Sequence, residues 1–515
     1  MSLVSNFLIE RLENIGVKHI FGVVGGHNNN FIENINNNSK IKFIANKDEN
    51  SSGFAADIYA RIQGTGCVCA NYNAGALKLC NSIAGAYSEK SPVIVISMSP
   101  PIKSRNEDFL LHHVVRSFDN QQKIFKNITC YSTILNDATK AGLAIDEGLE
   151  ALVKNKQPIY LELPIDVANT PIRYDVYRDG TPNSKTSDKE TLQDSIKETS
   201  DWIAESKSPV ILIGVQIIRY GLSKKIVRFA EKHNIPFMTT LLGKSSVDEN
   251  NHLFRGVYCG SKTSDENVNA IIDQSDCLLV FGECLSDVTL GFQSPRFTKR
   301  HVVFCSTEGL YIKNHVYNNV TFSDFCNSLF EINFLSKAKI ENYKNNEYFD
   351  DCKNNEYISE KYFFNKINDL ICKDNNLAII ADAGDFLTSA SRLRVYENRF
   401  FSPAFHYSTG FAIPGSLGLQ LSRPELRPIV LLSENSFNIS MIELHTLFQN
   451  KLNPIIFILS NNMNKFYNIE KFKQFFNFGN GFIVSNKDEL DSVISTSLKS
   501  KEISLINVTF TKESI

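Results

Sequence analysis

Glu49 and the adjacent pair His112-His113 are the residues whose types and settings could move protons. Glu49 follows an extended run, Lys42–Ala45, and opens a small-residue helical stretch, Ser51–Arg61. A carboxylate at a helix start is favoured by the macrodipole, so Glu49 reads plainly as a solvated first-turn glutamate and, alternatively, as a general acid. Imidazoles are common acid–base groups, but a histidine pair in a loop is a weak signal by itself. Two phosphate-loop lookalikes fail. Gly243-Lys244-Ser245 has Met238 where the first glycine of such a loop belongs, and Gly22-Val23-Val24-Gly25-Gly26 follows a strand without matching GxGxxG. The 11 cysteines form no CxxC pair and no Cys/His cluster with zinc spacing.

The elements that must position these groups alternate between apolar strands and helices. Val4, Phe7, Leu8, Leu12 and Ile15 recur at helical spacing, which predicts an amphipathic helix over residues 3–15 rather than a targeting peptide. Candidate strands Lys42–Ala45, Cys67–Tyr72, Val93–Met98 and Ile159–Leu163 are continuous apolar runs, as expected of parallel sheets covered on both faces. The polar, turn-rich stretch Asp179–Asp188 reads as a linker. A second series follows, with Val210–Ile213, Phe237–Leu241, Leu278–Phe281 and Val302–Cys305. The charged, Asn-rich stretch Lys337–Glu356 is a second linker, and a third series contains Leu377–Ala381, Ile429–Leu432, Ile455–Leu459 and Leu505–Phe510. The expectation is an α/β chain of three consecutive parallel-sheet domains, at 1–172, 190–335 and 356–515.

Composition supports this reading and narrows the partners. A chain of 515 residues with 43% hydrophobic and 21% charged residues is globular rather than disordered or fibrous. Lys and Arg total 54 against 56 Asp and Glu, and the net charge of −2 offers no footprint for nucleic acid or an anionic membrane. No run of 18 apolar residues occurs, and scattered thiols in apolar strands fit a reducing compartment. A cytoplasmic protein acting on a small molecule, with neither nucleic acid nor membrane as partner, is expected.

Glu49 with its helix, the strand Cys67–Tyr72, Gly75, and the segment Asn81–Pro92 together resemble the pyrimidine-binding domain of thiamine-diphosphate-dependent enzymes. In that family the matching glutamate activates the cofactor by protonating its aminopyrimidine ring. The resemblance extends over nearly the whole chain. His112-His113, preceded by Leu110-Leu111, is similar to the paired histidines of the 2-oxo acid decarboxylase branch, which includes pyruvate, indolepyruvate and phenylpyruvate decarboxylases. In the middle series, Gly256–Ser261 and Ala270–Asp287 support the same branch. In the third, Ala381–Phe386 and Tyr407–Gly418 look like segments that lead into the family's diphosphate domain.

The resemblance implies thiamine diphosphate and Mg²⁺ as cofactors, non-oxidative decarboxylation of a 2-oxo acid to an aldehyde and CO₂, and a homodimer or homotetramer. Glu49, His112, His113 and Glu470 become the candidate catalytic residues. Glu49, Gly75, Ser433, Asn435, Ser436 and Asn461 are the candidate cofactor contacts, and Glu434, Asn461 and Met463, the last through its backbone oxygen, are the candidate metal ligands. Magnesium favours near-octahedral oxygen ligands at about 2.0–2.1 Å.

Several positions depart from the family pattern. Gly26 stands where decarboxylases carry an aspartate, with His27 beside it; the double glycine instead suggests the carboligase branch, such as acetolactate synthase. Ser433-Glu434-Asn435 replaces the family's Gly-Asp-Gly, so Glu434 either binds the metal or merely caps a helix. Glu470 is reached only after a short insertion following Asn461-Asn462. These departures keep two further readings open: a family member that retains the fold but not turnover, acting as a subunit or scaffold, and a carboligase.

Overall fold

Runs of β-branched and apolar residues form 19 strands among the described residues, arranged in three sheets. The computed structural model describes residues 2–106, 111–172, 186–263, 265–293, 299–334, 357–460 and 478–510. The first sheet contains β1 (His19–Gly22), β2 (Lys42–Ala45), β3 (Gly66–Asn71), β4 (Val93–Ser99), β5 (Tyr131–Ile134) and β6 (Ile159–Pro164), all parallel, in the order β2-β1-β3-β4-β6-β5. Helix Val4–Asn14 falls where the spacing predicts it and packs its apolar side onto one face of this sheet, with Ile20, Ile94, Ile96 and Leu161.

The second sheet contains β7 (Pro209–Ile213), β8 (Phe237–Thr240), β9 (Phe254–Tyr258), β10 (Cys277–Phe281), β11 (Val302–Ser306), β12 (Gly309–Ile312) and β13 (His315–Tyr317). Its order is β13-β12-β11-β10-β7-β8-β9; β12 and β13 are antiparallel additions at one edge, and the rest is parallel. The third sheet, all parallel, contains β14 (Leu377–Ala381), β15 (Phe400–Phe401), β16 (Arg427–Ser433), β17 (Ile455–Ser460), β18 (Asn480–Val484) and β19 (Ser504–Thr509) in the order β15-β14-β16-β17-β19-β18. Numbered from its own first strand, it repeats the order of the first sheet.

The first and third sheets share a core. Helix Glu49–Gln63 lies against helix Ala412–Ser422, so closely that a Cβ on Gly418 would stand 2.1 Å from the carbonyl oxygen of Ala55. Around this contact, Phe54, Ile58 and Val95 of the first series join Ile380, Val430 and Ile456 of the third in one buried cluster. The contact is fixed by buried charge. The Arg61 guanidinium pairs with Asp57 and Glu89 at 2.7 Å each and donates to the carbonyl of Ser402 at 3.0 Å; Glu89 in turn accepts the backbone N–H groups of Phe405 and His406 at 2.9 Å. Ion pairs this buried are strongly destabilising to break from one side, which makes the junction rigid. Lys244, from the phosphate-loop lookalike, is likewise structural: its ammonium is buried against Glu249 at 2.7 Å and the carbonyl of Leu393 at 2.7 Å.

The linker Lys337–Glu356 and most of Asp179–Asp188 lie outside the described residues, as do Asn461, Met463 and Glu470. Among the described residues no helix is long and apolar enough to cross a membrane.

Candidate functional site

In an open parallel sheet, ligands bind beyond the carboxyl ends of the strands, where the strand order reverses. In the first sheet that place lies between β1 and β3, because the chain leaves β1 for β2 on one side and returns to β3 on the other. The candidate residues gather there. Asn71, the last residue of β3, accepts the backbone N–H groups of His27 and Asn28 through Oδ1 at 3.1 and 3.2 Å, tying the loop after β1 to the end of β3. Its Nδ2 occupies the space a side chain on Gly25 would need, at 1.8 Å from an added Cβ, so Gly25 has a packing reason to be glycine. Gly26 does not: an added Cβ meets nothing within 4 Å.

Glu49 begins the helix Glu49–Gln63, whose N-cap Asp48 accepts from the backbone N–H of Ser51 at 3.0 Å. Its side chain is 13% exposed, and Oε2 pairs with the ammonium of Lys78 at 2.8 Å. Lys78 also reaches Asp48 at 2.9 Å, and these two carboxylates push its ammonium up to about 12. On the other oxygen, a Cβ on Gly75 would lie 2.9 Å from Oε1, so the bare glycine leaves that edge of the carboxylate approachable. The turn is held from the third domain. Buried Glu443 accepts the backbone N–H groups of Lys47 and Asp48 at 2.8 and 3.0 Å and the side-chain amide of Asn46 at 2.9 Å.

His112 and His113 are exposed, and their rings meet at 4.6 Å between centroids. His27 completes the group, with its ring 5.3 Å from His112 and 5.6 Å from His113. The residue beside the missing aspartate thus does turn toward the pair. Burial, then the neighbouring His112 and His113, hold its imidazole below the ordinary value.

A buried polar chain runs behind the pair. The carbonyl of His113, whose backbone has φ +69°, accepts from Asn73 Nδ2 at 2.6 Å, and the N–H of Asn73 donates to Gln121. Gln121 donates to Ser97 at 2.8 Å and to the hydroxyl of Tyr160, which donates to Glu162 at 2.8 Å. Burial pushes the Glu162 carboxyl up to about 7.

The third sheet reverses at the equivalent place, between β14 and β16. Asp382, directly after β14, is buried and accepts the N–H groups of Ala383, Gly410 and Ala412 at 2.8, 3.1 and 3.0 Å, which joins the two segments the sequence likens to the family's diphosphate domain. Burial raises its carboxyl to about 6. Ser433 ends β16 and caps the short helix Glu434–Ser440, its Oγ accepting from the N–H of Ser436 at 3.3 Å. Glu434 is therefore the first-turn acid and Ser433, not Glu434, is the cap. Asn461 follows directly on Ser460, the last residue of β17, the strand next to β16. Among the described residues no hydrogen bond or ion pair links Glu434 to Glu49 or to the three histidines.

The groups present fit thiamine diphosphate. At the first sheet, the free edge of Glu49 beside Gly75 suits a hydrogen-bonding heterocycle; at the third, the first-turn carboxylate of Glu434 is of the kind that suits a hard cation accompanying a diphosphate. The residues that position Glu49 and the histidines were not read from the sequence. Of Asn71, Asn73, Gln121, Glu162 and Glu443, only Glu162 carries a local signal, a carboxylate inside the otherwise apolar strand Ile159–Pro164.

Three family models match the chain: the N-terminal TPP binding domain of thiamine pyrophosphate enzymes at residues 3–124, the central domain at 196–320 and the C-terminal TPP binding domain at 382–477. Among curated relatives, the indole-3-pyruvate decarboxylase of Azospirillum brasilense is 27% identical, over 88% of this chain and 83% of its own. The pyruvate decarboxylase of Hanseniaspora uvarum is 26% identical, over 90% and 83%. The alpha-keto-acid decarboxylase of Mycobacterium leprae is 26% identical, over 89% and 80%.

Proposed function

The chain belongs to the thiamine pyrophosphate enzyme family, on its 2-oxo acid decarboxylase branch, and from that premise we propose that it converts a 2-oxo acid of the pyruvate or indolepyruvate kind to an aldehyde and CO₂. The observation that carries the reading is the gathering of Glu49, Gly75 and the histidines at the reversal point of the first sheet, around Asn71. When bound, thiamine diphosphate supplies a nucleophilic carbon and an electron sink for the carboxylate's electrons. This chain's residues do the rest. Glu49 exchanges a proton with the aminopyrimidine through the edge that Gly75 leaves open, and Glu443 keeps the turn carrying it in place. His112 and His113, with Glu470, give and take protons at the substrate. The turns carrying Ser433, Asn435, Ser436 and Asn461 would hold the diphosphate, with Mg²⁺ on Glu434, Asn461 and the backbone oxygen of Met463, although the side chains of Ser433 and Asn435 narrow the approach.

A site divided between the first and third sheets is completed by a second copy in this reading, as a homodimer or homotetramer. Exposed Ile439, Ile442 and Phe448, on the helical segments that follow Ser433, support burial on assembly.

A second reading, a family fold without turnover, is favoured by Gly26 and by the self-capped Ser433. The two separate in one assay: CO₂ release from pyruvate and indolepyruvate with saturating thiamine diphosphate and Mg²⁺. Enzymatic turnover that is lost in the His112→Ala/His113→Ala double variant, with unfolding unchanged, is the expected result. Background rates in both proteins would establish the second reading.

A further inference from the structure

Three imidazoles from two distant parts of the chain converge at the end of the first sheet, and the decarboxylase reading uses only two of them. One nitrogen each from His27, His112 and His113 lies within 4.8 Å of the other two. His27 is only 8% exposed, and its Nδ1 is buried without a hydrogen-bond partner among the described residues. Leaving such an atom unsatisfied costs about 1–3 kcal/mol, so this ring is placed for a ligand rather than for packing alone. Both backbones that carry the group are fixed, His27 through its N–H on Asn71 at 3.1 Å and His113 through its carbonyl on Asn73 at 2.6 Å. The rings of His112 and His113 stay exposed, which gives an ion a way in.

We propose that His27, His112 and His113 form a three-imidazole site for a divalent transition-metal ion of the zinc class, with its fourth position open to water or to an anionic oxygen. Imidazole nitrogens suit Zn²⁺ and its neighbours, whereas Mg²⁺ takes oxygens, so this site differs in chemistry from a diphosphate–magnesium site. A tetrahedral ion with Zn–N bonds of about 2.0–2.1 Å sets its nitrogens roughly 3.3 Å apart. The cluster's nitrogens, all within 4.8 Å of one another, come to that spacing with at most a small rotation of the two exposed rings. The site stands on this geometry alone. Its consequence rests on the decarboxylase reading: an ion there takes the nitrogens that would otherwise move protons, so zinc inhibits and a chelator restores turnover.

The test is calorimetric titration of the chelator-stripped full chain with Zn²⁺, in saturating Mg²⁺ to fill oxygen sites. One Zn²⁺ per chain is expected. Loss of a hydrogen-bond partner behind a metal ligand typically costs about 10–100-fold in affinity, so His112→Ala, which removes an exposed ligand, should cost at least about 100-fold. His27→Ala should do the same, and His112→Ala keeps the test decisive if the buried substitution disturbs folding. No saturable uptake, or uptake that His112→Ala leaves unchanged, overturns the site. Stoichiometric zinc uptake by a protein that turns over no 2-oxo acid supports the site and removes the decarboxylase reading alone; turnover without zinc uptake does the reverse.

Discussion

The first and third sheets run their strands in the same order and reverse at the same gap, yet the two gaps are furnished differently. Beyond β1 and β3 stand a carboxylate with one open edge and three imidazoles; Lys78 pairs with the carboxylate, and Asn71 and Asn73 hold the backbones of His27 and His113. Beyond β14 and β16 the polar groups serve the chain itself: Asp382 is spent on three backbone N–H groups and Ser433 on capping its own helix. The comparison teaches that one topology supplies the place for a site twice over, while the neighbours of each side chain decide whether its atoms are free for a ligand. Among the described residues the gap of the first sheet has free atoms, and that of the third has fewer.

The strongest way to break this contrast is Glu49→Gln, which keeps shape and removes the transferable proton. A placed general acid or base is worth roughly 10²–10⁴-fold, and kcat for CO₂ release should fall by that much. An unchanged kcat would take Glu49 out of the chemistry and leave the first gap no better furnished than the third.

Next in size is the support behind the histidines. Glu162 is buried, and its carboxyl stands at about 7 against an ordinary 4.5. A carboxyl raised in the folded state is held preferentially protonated, so its contribution to stability is complete below about pH 4.5 and is lost as pH rises through about 7. The full loss is about 3 kcal/mol. Glu162→Gln, which stays neutral and still accepts from Tyr160, should remove that part of the pH dependence. Urea unfolding of both proteins at about pH 5 and about pH 8 measures it, and parallel pH profiles would show that Glu162 does not titrate in this range.

Much of the fold was legible because buried parallel strands are continuous apolar runs: Leu377–Ala381, buried throughout, is a strand at the residues expected, and Lys42–Ala45, an edge strand, is too. The antiparallel pair β12 and β13 was not, since strands of four and three residues with exposed Tyr311 and Val316 carry no such run. At the site, Glu49 and His112-His113 were legible through their neighbours in sequence. His27 was marked only as the neighbour of the missing aspartate; its turn toward the pair was not legible, because only the ladder between β1 and β3 and the amide of Asn71 bring it there. Glu443 escaped for the same reason: its acceptors serve Asn46, Lys47 and Asp48, far away in the chain, and nothing local marks it.

A smaller effect sharpens the contrast from the side of the missing aspartate. Gly26 is exposed, and a Cβ there meets nothing within 4 Å. Gly26→Asp should therefore change stability by no more than about 0.5 kcal/mol, as surface substitutions usually do. It places a carboxylate next to His27, and decarboxylation should rise by about 10-fold, less than the roughly 10²–10⁴-fold of a fully positioned acid–base group because the histidines already serve there. Steady-state CO₂ release and thermal unfolding of the same preparation check both parts. A fall in rate without loss of stability would mean that the three-histidine group works as it stands.

The last change expected is one of cofactor affinity at the third sheet, and it is the most informative about that gap. Changing Ser433-Glu434-Asn435 to Gly-Asp-Gly removes the cap that Ser433 provides to Ser436. Replacing such a cap with glycine costs only a few tenths of a kcal/mol, and a glycine for Asn435 inside the first turn costs at most about 1 kcal/mol more. In return, the N–H of Ser436 is released from its intrahelical partner, and two side chains no longer stand between the backbone and a phosphate. Thiamine diphosphate should bind more tightly in the presence of Mg²⁺, and less Mg²⁺ should be needed to hold it. Calorimetric titration with the cofactor at several Mg²⁺ concentrations, for the original and the altered chain, tests this directly. Equal affinities would show that Ser433 and Asn435 do not obstruct the phosphate, and the difference between the two gaps would then lie in the residues beyond β17 rather than in this turn.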